Sequence, residues 1–314
     1  MKTISIVVPC YNEQAAIPLF YKTVEGILTK FSENEAELYR WEYWFINDGS
    51  TDQSLDQLKI LNAENPKEVH YVDFSRNFGK ESALKAGLDQ VSGDYIAVMD
   101  VDLQDPPELL PKMIRLLNTT DNDVIATRRA NRKGEPAVRS WLSNQFYNVI
   151  NHISQVKMQN GLRDYRLMRR SVVDAIRELP EYNRFSKGIF GWVGFKTETL
   201  EFANQPRVAG ETHWSMKQLV NYSLAGIMDY SEVPLNLASW AGIVSCVFAI
   251  IGLIIVVSRK LLYGNPTMGW PSIVSIILLV GGIQLFSLGI IGKYISKIYL
   301  ESKHRPIYLV KEKR

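Results

Sequence analysis

Cysteine is almost absent from this 314-residue chain, which holds only Cys10 and Cys246. One ends a strand-like run and the other sits inside an apolar stretch, so neither a disulfide framework nor a zinc site is expected, and a reducing, cytoplasmic setting fits. Excess charge is also missing: 36 Lys and Arg against 33 Asp and Glu leave +3, which gives no argument for nucleic acid as a partner. No internal repeat, low-complexity segment or long linker is evident. The opening Met1-Lys2-Thr3-Ile4-Ser5 soon meets Pro9 and Asn12-Glu13, so it lacks the apolar core and small-residue cleavage site of a signal peptide. Nothing marks it for cleavage or export.

Two long stretches of the last third carry no charge at all. No charged residue occurs from Val233 to Ser258, or again from Leu261 to Gly292. Each stretch exceeds the roughly 20 residues a helix needs to cross the hydrocarbon, and buried core helices seldom run so long without a charge. The expectation is a two-helix transmembrane hairpin over 233–296, with spans at about 235–258 and 270–292. Gly281, Gly282, Gly289 and Gly292 would permit close helix approach, including in a homo-oligomer. The segment 211–232 reads as an interfacial amphipathic helix, with Trp214, Met216, Leu219, Val220, Leu224 and Ile227 at helical spacing. Residues 297–314 read as a basic tail, and two crossings then place it and the large N-terminal domain, 1–210, on the cytoplasmic side.

What is present in that domain is alternation. Short apolar runs at Ile4 to Val8, Tyr43 to Ile46, Val69 to Val72, Tyr95 to Met99 and Val124 to Ala126 predict buried strands. Amphipathic stretches at Ala16 to Leu28, Leu55 to Leu61, Ser82 to Leu88 and Leu109 to Leu117 predict helices between them. The class is therefore α/β with a mostly parallel sheet, whose ligands gather at the carboxyl ends of the strands. Each predicted strand ends in polar residues, and the richest of these ends is Asp100-Val101-Asp102-Leu103-Gln104-Asp105. Carboxylates two apart can converge on a hard cation, Mg²⁺ or Mn²⁺, while a diphosphate supplies further oxygens. Asp105 precedes Pro106-Pro107, a pattern that predicts an N-cap for the next helix.

Four strand-end motifs carry a family resemblance. Val7-Val8-Pro9-Cys10-Tyr11-Asn12-Glu13, Asn47-Asp48-Gly49-Ser50-Thr51-Asp52, Ser75-Arg76-Asn77-Phe78-Gly79-Lys80-Glu81 and Met99-Asp100-Val101-Asp102-Leu103-Gln104-Asp105-Pro106-Pro107 resemble, in order and spacing, the family 2 inverting glycosyltransferases with the GT-A fold. The chain is similar in particular to polyprenyl-phosphate glycosyltransferases of the bactoprenol glucosyltransferase and dolichol-phosphate mannose synthase type, over essentially its whole length. It departs from them at Asn47-Asp48, where the family has paired acids, and at His213, where it has lysine.

The resemblance implies roles. Asp102 would ligate the metal, Asp100 would bind the nucleotide sugar and assist the metal, and Gln104 would help hold sugar or acceptor. Pro9, Tyr11, Glu13 and Asp48 would hold base and ribose, although Asn12-Glu13 can equally cap a helix beginning near Gln14. Lys80, at a helix start, could reach a phosphate. Arg128 and Arg132 follow the fifth strand and suit an acceptor phosphate, with Arg207 matched to the family's Arg-x-x-Gly motif. Asp164, in Asp164-Tyr165-Arg166-Leu167-Met168, would be the catalytic carboxylate.

The function so implied is inverting transfer of one hexose from a nucleotide sugar to polyprenyl phosphate at the cytoplasmic membrane face. UDP-glucose and undecaprenyl phosphate are the favoured pair, from resemblance only. A processive polysaccharide synthase is the enzyme alternative, but its Gln-x-x-Arg-Trp motif is not found. A non-catalytic membrane scaffold is the other, and intact Asp100, Asp102 and Asp164 speak against it.

Overall fold

The computed structural model describes residues 1–35, 37–130, 145, 147–154, 156, 160–203, 223–224, 226–263 and 269–314. Strand alternation builds its centre. In β1 (Lys2–Cys10), Ile4, Ile6 and Val8 enter one buried cluster while Val7 enters another; in β2 (Tyr39–Asn47), Tyr43 and Phe45 oppose Trp44 and Ile46 in the same way. Both sheet faces are thus covered, which is why these strands read as continuous apolar runs. β3 (Val69–Phe74), β4 (Tyr95–Val98) and β5 (Val124–Arg129) complete the five strands expected from the sequence. The four intervening helices are α1 (Ala16–Asn34), α2 (Ser54–Glu64), α3 (Lys80–Gln90) and α4 (Leu109–Thr119).

Three strands were not legible as apolar runs: β6 (Leu162–Arg169), β7 (Thr197–Phe202) and β8 (Val310–Lys313). The eight-stranded order is β7-β5-β6-β4-β1-β2-β3-β8. β1 to β5 and β7 run one way, whereas β6 and β8 run against their neighbours. One core cluster joins Phe20, Val24 and Leu28 of α1 to Leu110, Met113 and Ile114 of α4. The other places Ala83 and Leu84 of α3 with Val172 and Ile176 of α5 (Arg170–Arg177) and Ile189 of α6 (Ser186–Trp192). Each of the larger side chains so buried contributes about 1.5–3 kcal/mol.

The reversal of β6 positions the site. Parallel strands all end at one rim, and an antiparallel strand laid among them begins there. Val98 pairs with Arg166, so Arg163 and Asp164 at the start of β6 lie level with the residues that follow β4.

After the sheet domain come α7 (Val233–Tyr263) and α8 (Trp270–Ser302). Their segments Val233–Ile255 and Ser275–Ser302 are long and apolar enough to cross a membrane, and only 6% and 0% of their most apolar windows are buried. That exposure excludes a pair of core helices, because core helices bury their apolar faces. Gly281, Gly282, Gly289 and Gly292 all face open space, so close packing of α8 on α7 does not use them.

Residues 297–314 are not a simple tail. α8 continues to Ser302, and β8 then pairs with β3 through Val72↔Lys313, Asp73↔Glu312 and Phe74↔Val310. The Tyr308 ring stacks on Phe74 at 5.1 Å, its hydroxyl donates to Asp89 at 3.0 Å, and the Tyr71 hydroxyl donates to Glu312 at 2.6 Å. The positive residues of this segment therefore border a covered sheet edge, which removes a row of unpaired backbone groups from solvent. Most of the amphipathic segment 211–232 lies outside the described residues; its last part ends with the Tyr294 hydroxyl donating to the Ser231 carbonyl at 2.7 Å.

α3 packs so closely on β1 that a Cβ at Gly87 would stand 2.2 Å from Val7 Cγ1. Gly87→Ala should destabilise the protein by about 1–3 kcal/mol, read as a lowered melting temperature; an unchanged melt would show that the α3–β1 contact relaxes without strain.

Candidate active site

The rim is assembled from loops that bind one another. On the loop after β1, the Asn12 N–H donates to Ser50 Oγ at 2.9 Å and the Glu13 N–H to Ser54 Oγ at 2.8 Å, while Asn12 Oδ1 accepts from the Thr51 N–H at 2.8 Å. Helix α1 begins at Ala16, where the Glu13 carbonyl accepts the Ala16 and Ile17 N–H groups, and Asn12 Oδ1 is turned to Thr51 rather than to the helix. Asp48 is turned to the next loop: its two oxygens accept the Phe78 and Gly79 N–H groups at 2.6 and 2.9 Å. Burial pushes its carboxyl up, against those two donations. Gly49 has φ +63, and a Cβ there would lie 2.3 Å from the Arg76 carbonyl carbon, so only glycine fits the crossing of these loops. Pro9, Tyr11 and Glu13 are half-buried along the same rim.

The acidic loop after β4 is strained. Leu103, a bulky residue, takes φ +53, a conformation that side chains rarely adopt. The turn lets Asp102 Oδ1 accept the Gln104 N–H at 3.1 Å and sinks Asp102 to 6% exposure. Asp105 does not cap α4. The helix starts at Leu109, and Asp105 is buried with Oδ1 2.7 Å from Arg163 Nε. The Pro106-Pro107 spacer delays the helix, and the ion pair on β6 takes the carboxylate that the cap would have used.

Charges alternate across the rim. Lys80 Nζ lies 2.7 Å from Asp100 Oδ1 and 2.7 Å from Asp164 Oδ2, and Arg163 Nη2 lies 3.8 Å from Asp100 Oδ2. The sequence Asp164, Lys80, Asp100, Arg163, Asp105 thus joins α3, the acidic loop and the start of β6. Burial works against the charge on Asp164, but Lys80, Lys187 and Arg166 outweigh it and hold the carboxyl far below its ordinary value. Burial likewise opposes the ammonium of Lys80, and Asp100 and Asp164 overturn that opposition and raise it.

Of the residues expected from the sequence, Lys80, Asp100, Asp102, Gln104 and Asp164 meet here. Arg128 does not: its guanidinium pairs with Glu201 across the β5–β7 ladder, on a partly exposed surface. Arg129 Nη2 instead donates to Gln104 Oε1 at 3.1 Å. Arg132 and Arg207 lie outside the described residues. Sequence reasoning missed Arg163, Lys187 and the structural part played by Arg166. The last donates from Nε to the Asp164 carbonyl at 3.2 Å and from Nη2 to the Arg163 carbonyl at 3.0 Å, with its guanidinium 3.4 Å from the Phe190 ring centre. Burial lowers it to about 10. Its signal was in plain view, two residues after Asp164.

Among the described residues no group of three or more His, Cys, Asp or Glu could hold a metal ion. Asp100 and Asp102 offer an all-oxygen pair, and this fits a Mg²⁺ or Mn²⁺ ion that shares its ligands with a substrate's phosphates better than a resident ion in a protein cage.

Known proteins place this geometry in a lineage. The model of "Glycosyl transferase family 2" matches residues 5–177, which span β1 to α5 and hold every member of the charge chain. The chain belongs to that family. CsbB of Bacillus subtilis (strain 168), named as a glycosyltransferase, is 42% identical over 309 residues, 98% of this chain and 91% of that one. The bactoprenol glucosyl transferase of Shigella phage SfV is 40% identical over 312 residues, 99% of each chain. Among solved structures, mannosyl-3-phosphoglycerate synthase from Rubrobacter xylanophilus aligns over 72% of each chain at 15% identity, TM-score 0.49. The strand order of this family 2 glycosyltransferase is itself the mostly parallel α/β sheet that its motifs implied, and membership of the family makes it an enzyme.

Lys80→Gln removes the cation between two carboxylates of the transferase. Asp164 should then hold its proton more firmly, so activity should fall at a higher pH on acidification than in the wild type. A pH–rate profile superimposable on the wild-type curve would show that Lys80 does not set the charge of Asp164.

Proposed function

We propose that the enzyme transfers a single hexose from a nucleotide sugar to a polyprenyl phosphate at the cytoplasmic face of a membrane. UDP-glucose is the favoured donor and undecaprenyl phosphate the favoured acceptor. The supporting observation is similarity at 40% identity across 99% of both chains to a relative named bactoprenol glucosyl transferase, a span that includes both exposed apolar helices as well as the sheet domain. A second such relative, from Escherichia coli (strain K12), matches at 40% over 98% of both chains. In this reading 1–210 is the catalytic domain, α7 and α8 anchor it as a multi-pass hairpin, and the membrane lipid carries the acceptor.

The chemistry follows from the charges. A bound Mg²⁺ or Mn²⁺, held by Asp100 and Asp102, would supply positive charge to the departing diphosphate. Pro9, Tyr11, Glu13 and Asp48 line the loops where base and ribose would rest, and Asp48 also keeps the Phe78–Gly79 turn closed over α3. A phosphate monoester is anionic near neutral pH and hardly needs a strong base, so orientation outweighs deprotonation. Asp164 is kept ionised by its surroundings and orients the acceptor, with Lys80 preventing a build-up of negative charge between donor and acceptor. Attack opposite the leaving diphosphate inverts the anomeric centre, giving a β-linked lipid phosphate from an α-linked donor.

Purified full-length protein incubated with radiolabelled UDP-glucose, Mn²⁺ or Mg²⁺ and a short prenyl phosphate should form one product with one sugar per lipid. A polymer, or no labelled lipid with any nucleotide sugar, would reject the assignment. Chelator should stop the reaction, and Asp102→Asn should lower kcat by about a hundredfold or more with an unchanged melting temperature; full activity of that variant would remove Asp102 from the metal site.

A further inference from the structure

Of the arginines expected from the sequence to meet the acceptor phosphate, Arg128 lies at the end of β5 and is paired with Glu201 at the sheet surface. Another guanidinium occupies the middle of the rim. We propose that Arg163 is a phosphate-binding residue of the transfer site and that Asp105 is the positioning residue that aims it. The proposal rests on the functional reading above in one respect, that both substrates present phosphate oxygens.

Three observations converge on Arg163. Its Nε is fixed by Asp105 at 2.7 Å, and a guanidinium held at Nε keeps its two Nη groups side by side, the fork that matches two phosphate oxygens. Its Nη2 faces Asp100 at 3.8 Å, beyond hydrogen-bond reach, so the contact is an attraction across a gap beside a carboxylate of the donor motif. The side chain retains 24% exposure at the rim, whereas Arg166, three residues on, is enclosed and donates to backbone carbonyls. Two neighbouring arginines thus divide the work: Arg166 braces the backbone of β6, and Arg163 stays partly exposed at the rim.

Asp105 explains how the aim is kept. Its side chain is 2% exposed, its Oδ2 has no hydrogen-bond partner, and it leaves α4 uncapped in order to meet Arg163. Burial pushes its carboxyl up while Arg163 opposes that shift. A carboxylate buried at such cost without serving the helix is there for its partner. Arg163 reaches from the start of β6 toward Asp100, so a phosphate on its fork lies beside the donor motif, with Asp164 next along the chain.

The ligand is either the diphosphate of the nucleotide sugar or the monoester phosphate of the lipid, and binding measured without turnover separates them. Full-length wild type, Arg163→Gln, Arg163→Lys and Asp105→Asn are titrated calorimetrically with UDP in the presence of Mn²⁺, and separately with a short prenyl phosphate. Arg163→Gln should weaken one of the two by about 10- to 100-fold, Arg163→Lys should recover part of the loss, and Asp105→Asn should weaken the same ligand. Loss of UDP affinity assigns the donor diphosphate; loss of prenyl phosphate affinity with UDP intact assigns the acceptor. Affinities for both within twofold of wild type in Arg163→Gln would overturn the proposal, as would a loss that Arg163→Lys does not relieve and that follows a lowered melting temperature. Failure of the wild type to transfer sugar would reject the functional reading alone, since these titrations need no turnover.

Discussion

The ammonium of Lys80, shared between Asp100 and Asp164, is the contact on which the site depends. Those carboxylates come from different places, one on the loop after β4 and the other at the start of β6, and without a cation between them two negative charges would face each other in a half-buried cleft. Like charges so placed repel strongly where water is scarce. Arg163 repeats the device on the far side of Asp100. The alternation lets a dense acidic rim exist before any substrate arrives, and it leaves cations at hand when phosphates do.

Everything around that contact keeps its three supports in register. α3 delivers Lys80 from its first residue, and α3 can approach β1 because Gly87 has no side chain. Asp48 closes the turn that leads into α3, and Gly49 lets that turn pass the Arg76 backbone. Arg166 fixes the backbone of β6 from below. The C-terminal strand reaches the same loop from outside, where the Ser75 N–H donates to the Leu309 carbonyl at 3.0 Å. At the foot of α8, Glu301 accepts the Tyr182 N–H and Lys297 pairs with Asp229 just before α7, so α8 is tied both to the domain that carries the chemistry and to the start of the hairpin.

The four motifs at the strand ends were legible because each is local: a run of buried apolar residues followed at once by polar ones. Tyr95 to Val98 followed by Asp100 and Asp102 needs no distant partner to be read. β6 escaped notice because Leu162-Arg163-Asp164-Tyr165-Arg166 is rich in charge, and only pairing with β4 and β5 makes a strand of it. β8 escaped for a similar reason, since Val310-Lys311-Glu312-Lys313 reads as solvated sequence until it meets β3. Asp105 shows a local rule overridden: the pattern for a helix cap was present, and an ion pair 58 residues along the chain took the side chain.

By itself the sequence determined the α/β class, the position of the acidic loop, the family and the two long apolar helices, since all of these are written in short-range order and composition. Tertiary structure alone decided that Lys80 stands between Asp100 and Asp164, that Arg128 turns to Glu201 while Arg163 turns to Asp105, and that the last residues complete the sheet. The reason is physical. Which charge a side chain meets depends on strand order and direction, and a reversed strand brings its first residues to the rim where its neighbours end.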